Sequence, residues 1–183
     1  MMKILMVIAL CITMQFVVAQ EFVVEPASSK LSISGTSSLH DWESKVETFK
    51  GNVSANVENN QIKSVENFNF QLNVKSIKSG KSGMDKKTYK ALQEDDYPTI
   101  SYEGTSVVIH NNSATFSGVM SVAGKSKKFS TKVNLIYEND KMILSGSKEF
   151  NLTDFDIDPP TAVFGTIKTG AAVVIHYNIQ LKK

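Results

Sequence analysis

The sequence predicts an all-β protein, an antiparallel barrel of about eight strands with one short helix near residues 83–95. Three observations carry that expectation. Apolar and polar residues alternate along most of the chain, as they do in strands with one apolar face. Short turn clusters separate the alternating runs, so sequence neighbours must pair antiparallel, because parallel strands need a long crossover. A single short helix cannot cover an apolar sheet of that width. The sheet must therefore cover itself, as a sandwich or by closing into a barrel. Strand order by short hairpins favours the up-and-down barrel.

The elements follow in chain order. Lys3 precedes an apolar run from Ile4 to Ala19, interrupted only by Cys11, Thr13 and Gln15. The run is short for a membrane span and ends in small residues, which predicts a secretory leader over residues 1–19. The mature domain is then 20–183, with no stable membrane insertion once the leader is removed. Cleavage would also remove Cys11, the one cysteine. The mature chain must hold together by core burial and sheet hydrogen bonds without disulfides.

Leu31 and Ile33 open the alternation, and Phe49, Gly51, Val53, Ala55 and Val57 continue it. Phe68, Phe70, Leu72 and Val74 follow, then Ile100, Tyr102 and Gly104. Next come Ala114, Phe116, Gly118, Met120 and Val122, and after them Phe129, Val133, Leu135 and Tyr137. Met142, Leu144 and Gly146 precede the closing set Val173, Ile175, Tyr177, Ile179 and Leu181. Glu58-Asn59-Asn60, Asn111-Asn112, Ala123-Gly124-Lys125 and Glu138-Asn139-Asp140 read as turns. From Gly83 to Asp95 the spacing turns helical, with Met84, Thr88, Tyr89 and Leu92 near one side. Tyr97-Pro98 ends it, because the residue before proline avoids the α region. A second irregular stretch, from Thr153 to Gly165, contains Pro159-Pro160.

Composition narrows the function. Without Lys3 the chain carries 19 basic and 18 acidic residues, and no arginine. Guanidinium forks for phosphate or guanine are missing and no basic block replaces them, which argues against nucleic-acid binding. Asp154, Asp156 and Asp158 imitate a calcium loop, but Pro159 and Gly165 stand where Gly and Glu are needed. His110 and His176 have no ligand spacing around them, and no serine lies in a nucleophile elbow. The reading is therefore a non-enzyme with no catalytic residues, metal or cofactor. A dimer is neither required nor excluded.

Four stretches resemble the YceI-like family of secreted lipid- and polyisoprenoid-binding proteins. They are Val24 to Ile33, Glu47 to Val53, Asp95 to Tyr102 with its Tyr-Pro pair, and the Phe116 to Lys127 hairpin. They occur in the family's order and span nearly all of the mature chain. The resemblance implies an eight-stranded lipocalin-like barrel whose apolar pore holds an amphiphile with an isoprenoid or fatty tail. The chain departs from the pattern at Ser28, at Leu39-His40-Asp41-Trp42, at Leu152 and at Asp156.

The physical case for a lipid stands beside the resemblance. Burying a methylene gains about 0.8 kcal/mol, so one isoprene unit is worth on the order of 3–4 kcal/mol before ordering costs. The expected pore lining is Phe68, Phe70, Leu72, Phe116, Met120, Phe129, Val133, Leu135, Tyr137, Leu144, Val173, Ile175 and Tyr177. Met120 and Met142 are adaptable, and Gly51, Gly104, Gly118 and Gly146 would leave room for a tail. Trp42, Met84, Tyr89 and Leu92 are candidates for a mouth or lid. Lys125, Lys127 and Lys128 read as protection of a strand edge rather than a pyrophosphate site. The same alternation also suits a structural or stress-related interaction barrel with a filled core and no ligand.

Overall fold

The computed structural model describes residues 19–162 and 164–183. The leader expected up to Ala19 lies, through Val18, outside the described residues. Among the described residues, eleven strand segments form eight staves that close into an antiparallel barrel, with one short strand and one α-helix outside the ring.

The first three staves are each broken once. β1 (Gln20–Val24) and β2 (Lys30–Ser37) make the first. Pro26 separates them by opening a 3-10 turn over Pro26–Ser28, since proline fixes φ and cannot donate to a ladder. Ser29 mends the gap, its hydroxyl donating to Glu25 O at 2.8 Å and accepting from Gln180 N at 3.0 Å. β3 (Trp42–Val46) and β4 (Phe49–Glu58) make the second stave, and β5 (Gln61–Asn73) and β6 (Ile77–Lys78) the third. The break in the third is a 3-10 turn over Val74–Ser76, where the Asn73 side chain accepts from Lys75 N at 2.9 Å. The alternation from Leu31 onward missed β1, which adds buried Phe22 and Val24 to the core.

β7 (Thr99–His110), β8 (Ser113–Val122), β9 (Lys125–Glu138) and β10 (Lys141–Asn151) continue the meander. A two-residue β11 (Thr161–Ala162) lies beside the long last stave, β12 (Ile167–Lys182). β12 pairs with both halves of the first stave, Val24↔Leu181 below and Ile33↔Ile175 above, and so closes the ring. Two seams are short. β5 and β7 ladder only over Asn69–Asn73 and Thr99–Glu103, and β9 and β10 only over Asn134–Glu138 and Lys141–Ser145.

The two ends differ in their connections. Tight turns at Asn59-Asn60, Asn111-Asn112 and Asn139-Asp140 close one end, the floor. Asn59, Asn60, Asn139 and Asp140 all have positive φ, as the hairpin turns that match strand twist require. At the other end lie the β2–β3 turn, the β8–β9 turn and two long excursions, one with the α1 helix (Ser82–Ala91) and one over residues 152–166. In the β8–β9 turn Gly124 has φ +74°, and the Tyr97 ring rests against it so closely that a Cβ would come within 2.5 Å of the ring. The Tyr-Pro element thereby locks to the hairpin turn. The helix ends four residues earlier than the spacing predicts, because Gln93 turns left-handed (φ 50°) and its N–H bonds to Lys90 O.

The floor is solid. Phe22, Val53, Ala55, Phe68, Ala114, Met142 and Leu181 are all essentially sealed from water. The Phe68 ring packs on Phe116 at 4.9 Å and on Tyr102 at 5.1 Å between centroids.

Candidate lipid-binding cavity

Above the floor the barrel is hollow. A cavity of about 130 Å³ lies at mid-barrel, walled by Phe70, Phe116, Met120, Phe129, Val133, Leu144 and Tyr177, among others. A larger one of about 410 Å³ lies under α1, with Trp42, Met84, Leu92, Phe150, Val173 and Ile167 on its wall. Leu31, Leu72, Ile100 and Ile175 border both, so the two chambers meet at a collar of four aliphatic side chains.

Most of the residues expected to line a pore stand on these walls. Phe70, Leu72, Phe116, Met120, Phe129, Val133, Leu144, Val173, Ile175 and Tyr177 do, and Trp42, Met84 and Leu92 surround the upper chamber. Phe68, Leu135 and Tyr137 instead belong to the floor. Phe68 and Leu135 are buried among core side chains, and Tyr137 sets its ring edge-on to Phe22 at 5.8 Å. Tyr89 lies beside the third stave, its hydroxyl accepting from Lys78 Nζ at 2.8 Å and facing Ile77 O at 3.0 Å. Wall residues that the expected lining left out are Leu31, Phe49, Ile100, Ile179 and, from the 152–166 excursion, Leu152, Ile157 and Pro160. Leu31 and Ile100 carry the inward parity that would have named them. The excursion has no alternation to read.

The inward glycines do something other than leave bare wall. A Cβ on Gly104 would fall within 2.6 Å of the Phe68 ring, and Phe70 lies as tightly over Gly51. Tyr102 crosses Gly118 to reach Phe129 O at 3.1 Å and Phe116 O at 2.9 Å. Tyr177 crosses Gly146 to donate to Lys132 O at 2.8 Å, with Thr131 Oγ1 at 2.7 Å. Gly51, Gly118 and Gly146 each seat an aromatic ring against the wall, and Gly104 seats Phe68 within the floor. The glycines were expected to leave bare wall; instead the open space lies beside the rings seated on them.

The tyrosine hydroxyls in the mid-barrel wall are already engaged. Burial pushes the Tyr102 and Tyr177 phenols above their ordinary range, so both stay protonated and donate to backbone carbonyls. They are poor acids or bases for catalysis. Trp42 donates its indole N–H to Thr36 O at 3.1 Å and lays its ring over Gly35. His40 is exposed, its Nδ1 2.6 Å from Asp41 O. His176 faces outward to Ser34 Oγ at 2.9 Å. Among the described residues no group of three or more His, Cys, Asp or Glu side chains could hold a metal ion, and no helix is long and apolar enough to cross a membrane.

The shape recurs in solved structures at low identity. BcnA of Burkholderia cenocepacia superposes with a TM-score of 0.72 at 13% identity, covering 86% of this chain and 98% of that one. A polyisoprenoid binding domain from Saccharophagus degradans, implicated in plant cell wall breakdown, gives 0.64 at 9%, covering 88% and 97%. The Campylobacter jejuni YCEI protein gives 0.61 at 13%, covering 76% and 84%. A search of curated proteins finds no match. At such identities the likeness establishes the fold. The family model for the YceI-like domain matches residues 22–181, from β1 to the end of β12, and the chain therefore belongs to the YceI-like family.

Proposed function

We propose that this protein is an exported carrier or store for a polyisoprenoid or similar long-chain amphiphile, held inside the barrel, and that it is not an enzyme. The observation that carries the reading is the pair of apolar chambers, about 130 and 410 Å³, joined at Leu31, Leu72, Ile100 and Ile175. The larger alone falls in the range of about 300–1,000 Å³ typical of small-molecule sites. A tail of a few isoprene units, at on the order of 3–4 kcal/mol each before ordering costs, would bind usefully by burial alone. The polyisoprenoid-binding description of the Saccharophagus degradans domain agrees with that cargo. Lys3 and the apolar run up to Ala19 support export, with the mature domain starting at Gln20.

Mass spectrometry of organic extracts of the purified protein tests the cargo. A co-purifying long-chain lipid, or saturable uptake of added polyprenol or quinone, is the expected result. An empty protein that takes up neither removes the carrier reading. Intact-mass measurement of the exported protein tests the leader, and a chain that retains Met1 to Ala19 rejects it.

A further inference from the structure

The barrel wall is incomplete beside the mid-barrel cavity. β9 and β10 share ladder pairs only as far as Asn134↔Ser145. Above that level β9 still pairs with β8 up to Lys125, and β10 with β12 up to Asn151, so the two strands part and leave a slot. Tyr177 fills its first rung, its hydroxyl taking the Lys132 carbonyl that a ladder partner would otherwise use. Gly146, at inward parity with buried Met142 and Leu144, is nevertheless exposed at this seam. Phe129 and Phe150 face each other across the opening at 5.8 Å between centroids.

Lys148 stands in the slot. It shares the inward parity of Leu144 and Phe150, is half-buried, and lies on the wall of the mid-barrel cavity. Its Nζ is 6.0 Å from the Phe129 ring centroid, so its aliphatic stem lies along the rim. Four lysines near the barrel's ends have carboxylate partners, Lys125 with Asp156, Lys141 and Lys182 with Glu25, and Lys75 with Glu94. Lys148 has neither an ion pair nor a hydrogen bond to any described residue. At the top of the slot Asp156 is occupied by Lys125 at 2.8 Å, and Lys127 adds a second positive charge nearby. The Lys148 stem joins the apolar wall, and its ammonium, with no partner among the described residues, is left at the rim to meet an anion.

Resting on the reading that the cavity holds a lipid tail, we infer that the cargo's polar end is anionic, a carboxylate or a phosphate. It lies in the β9–β10 slot against the Lys148 ammonium while the tail runs into the chambers. Lys127 and Lys128, on the unladdered edge of β9, protect that edge and do not select the cargo.

Binding titrations with three fluorescent amphiphiles of one chain length test this: a carboxylic acid, a monophosphate and the primary alcohol. The native protein is expected to bind the two anions roughly tenfold more tightly than the alcohol, as a charge-assisted contact gives. Lys148→Met keeps the stem that covers the slot and removes the charge. It should erase the anion advantage and leave the alcohol unchanged, while Lys148→Glu should push the anions below the alcohol. Lys127→Glu, which reverses a charge beside the slot without removing the headgroup's partner, should weaken the two anions less than Lys148→Glu does and leave the alcohol unchanged. An anion advantage that survives Lys148→Met overturns the assignment, as does an equal loss for all three ligands. Inorganic phosphate that binds as tightly as the lipid phosphate overturns it too, by making the slot a free-anion site. If the native protein binds the alcohol with no preference for the anions, the slot assignment fails alone. If it binds none of the three, the cavity reading fails and takes the slot with it.

Discussion

At the floor Phe22, Val53 and Phe68 are sealed among their neighbours, whereas under α1 Ile33, Leu72 and Ile100 stand half-exposed around about 410 Å³ of empty space. The two regions use the same strands and the same alternation. What separates them is how the chain gets from one stave to the next. Two-residue turns hold the staves together at the floor and let side chains meet across the axis. The excursions over residues 79–98 and 152–166 hold the opposite end apart and roof it with α1 and the Phe155–Ile157 segment. Inward parity decides which side chains face the axis; connection length decides whether they touch.

The sharpest way to break that comparison is to truncate one residue from each region. Phe68→Ala should cost about 3–5 kcal/mol, since it leaves a hole in a packed aromatic cluster that two-residue turns keep from collapsing. Ile100→Ala removes side chain that already borders a void and should cost about 2 kcal/mol, a transfer term with little new cavity. Urea unfolding of both proteins measures the difference. Equal losses would mean that the chambers collapse in solution and that the two ends are packed alike.

How much of this was legible in the sequence follows the same division. The long strands from Leu31 onward, the hairpin turns and the helix near Met84 announce themselves through alternation, Asn-rich turns and a change of spacing, whereas β3, β6 and β11 carry no apolar set that the alternation picks out. β1 did not, because Phe22-Val23-Val24 directly follows the leader and Pro26 cuts it from the run it extends. The cavity wall was legible wherever a strand supplies it, at Phe70, Leu72, Phe116 or Ile175. It was illegible at Leu152, Ile157 and Pro160, where irregular backbone supplies it. Phe68, Leu135 and Tyr137 share the parity of the wall residues but sit at floor level, and parity carries no information about height along the axis. The role of Gly51, Gly104, Gly118 and Gly146 as seats for rings was also out of reach, because the ring comes from a neighbouring strand.

A second test sharpens the comparison by filling the hollow region. Ile100 belongs to the collar between the chambers, and Ile100→Phe would narrow it. Because the added volume enters a void, stability should stay within about 1 kcal/mol of the native protein, unlike the usual overpacking cost. Uptake of a long tail should fall sharply while that of a short one, which needs only the upper chamber, persists. Binding titrations across a series of chain lengths read this directly. A uniform loss at all lengths would mean that the collar does not divide the cargo's path.

The smallest effect belongs to the floor's own seam, where the first and last staves meet. Glu25 accepts from Lys182 at 3.2 Å and from Lys141 at 3.3 Å, tying the β1–β2 break to β12 and β10. The Lys182 hydrogen bond first, then those from Ser28 and Lys141, hold its carboxyl below the ordinary value of 4.5. A carboxylate lowered in the folded state adds stability that is fully present above its unfolded value and is lost as pH falls through the folded one. The thermal midpoints of the native protein and Glu25→Gln should therefore differ slightly at neutral pH and converge below pH 4.5. Exposure to solvent keeps the difference small, and added salt should shrink it further. The ladder pairs Val23↔Lys182 and Val24↔Leu181 remain in either protein, so the seam itself should stay shut. A difference that grows as pH falls would show that Glu25 is not stabilised as an anion and that backbone pairing closes this seam unaided.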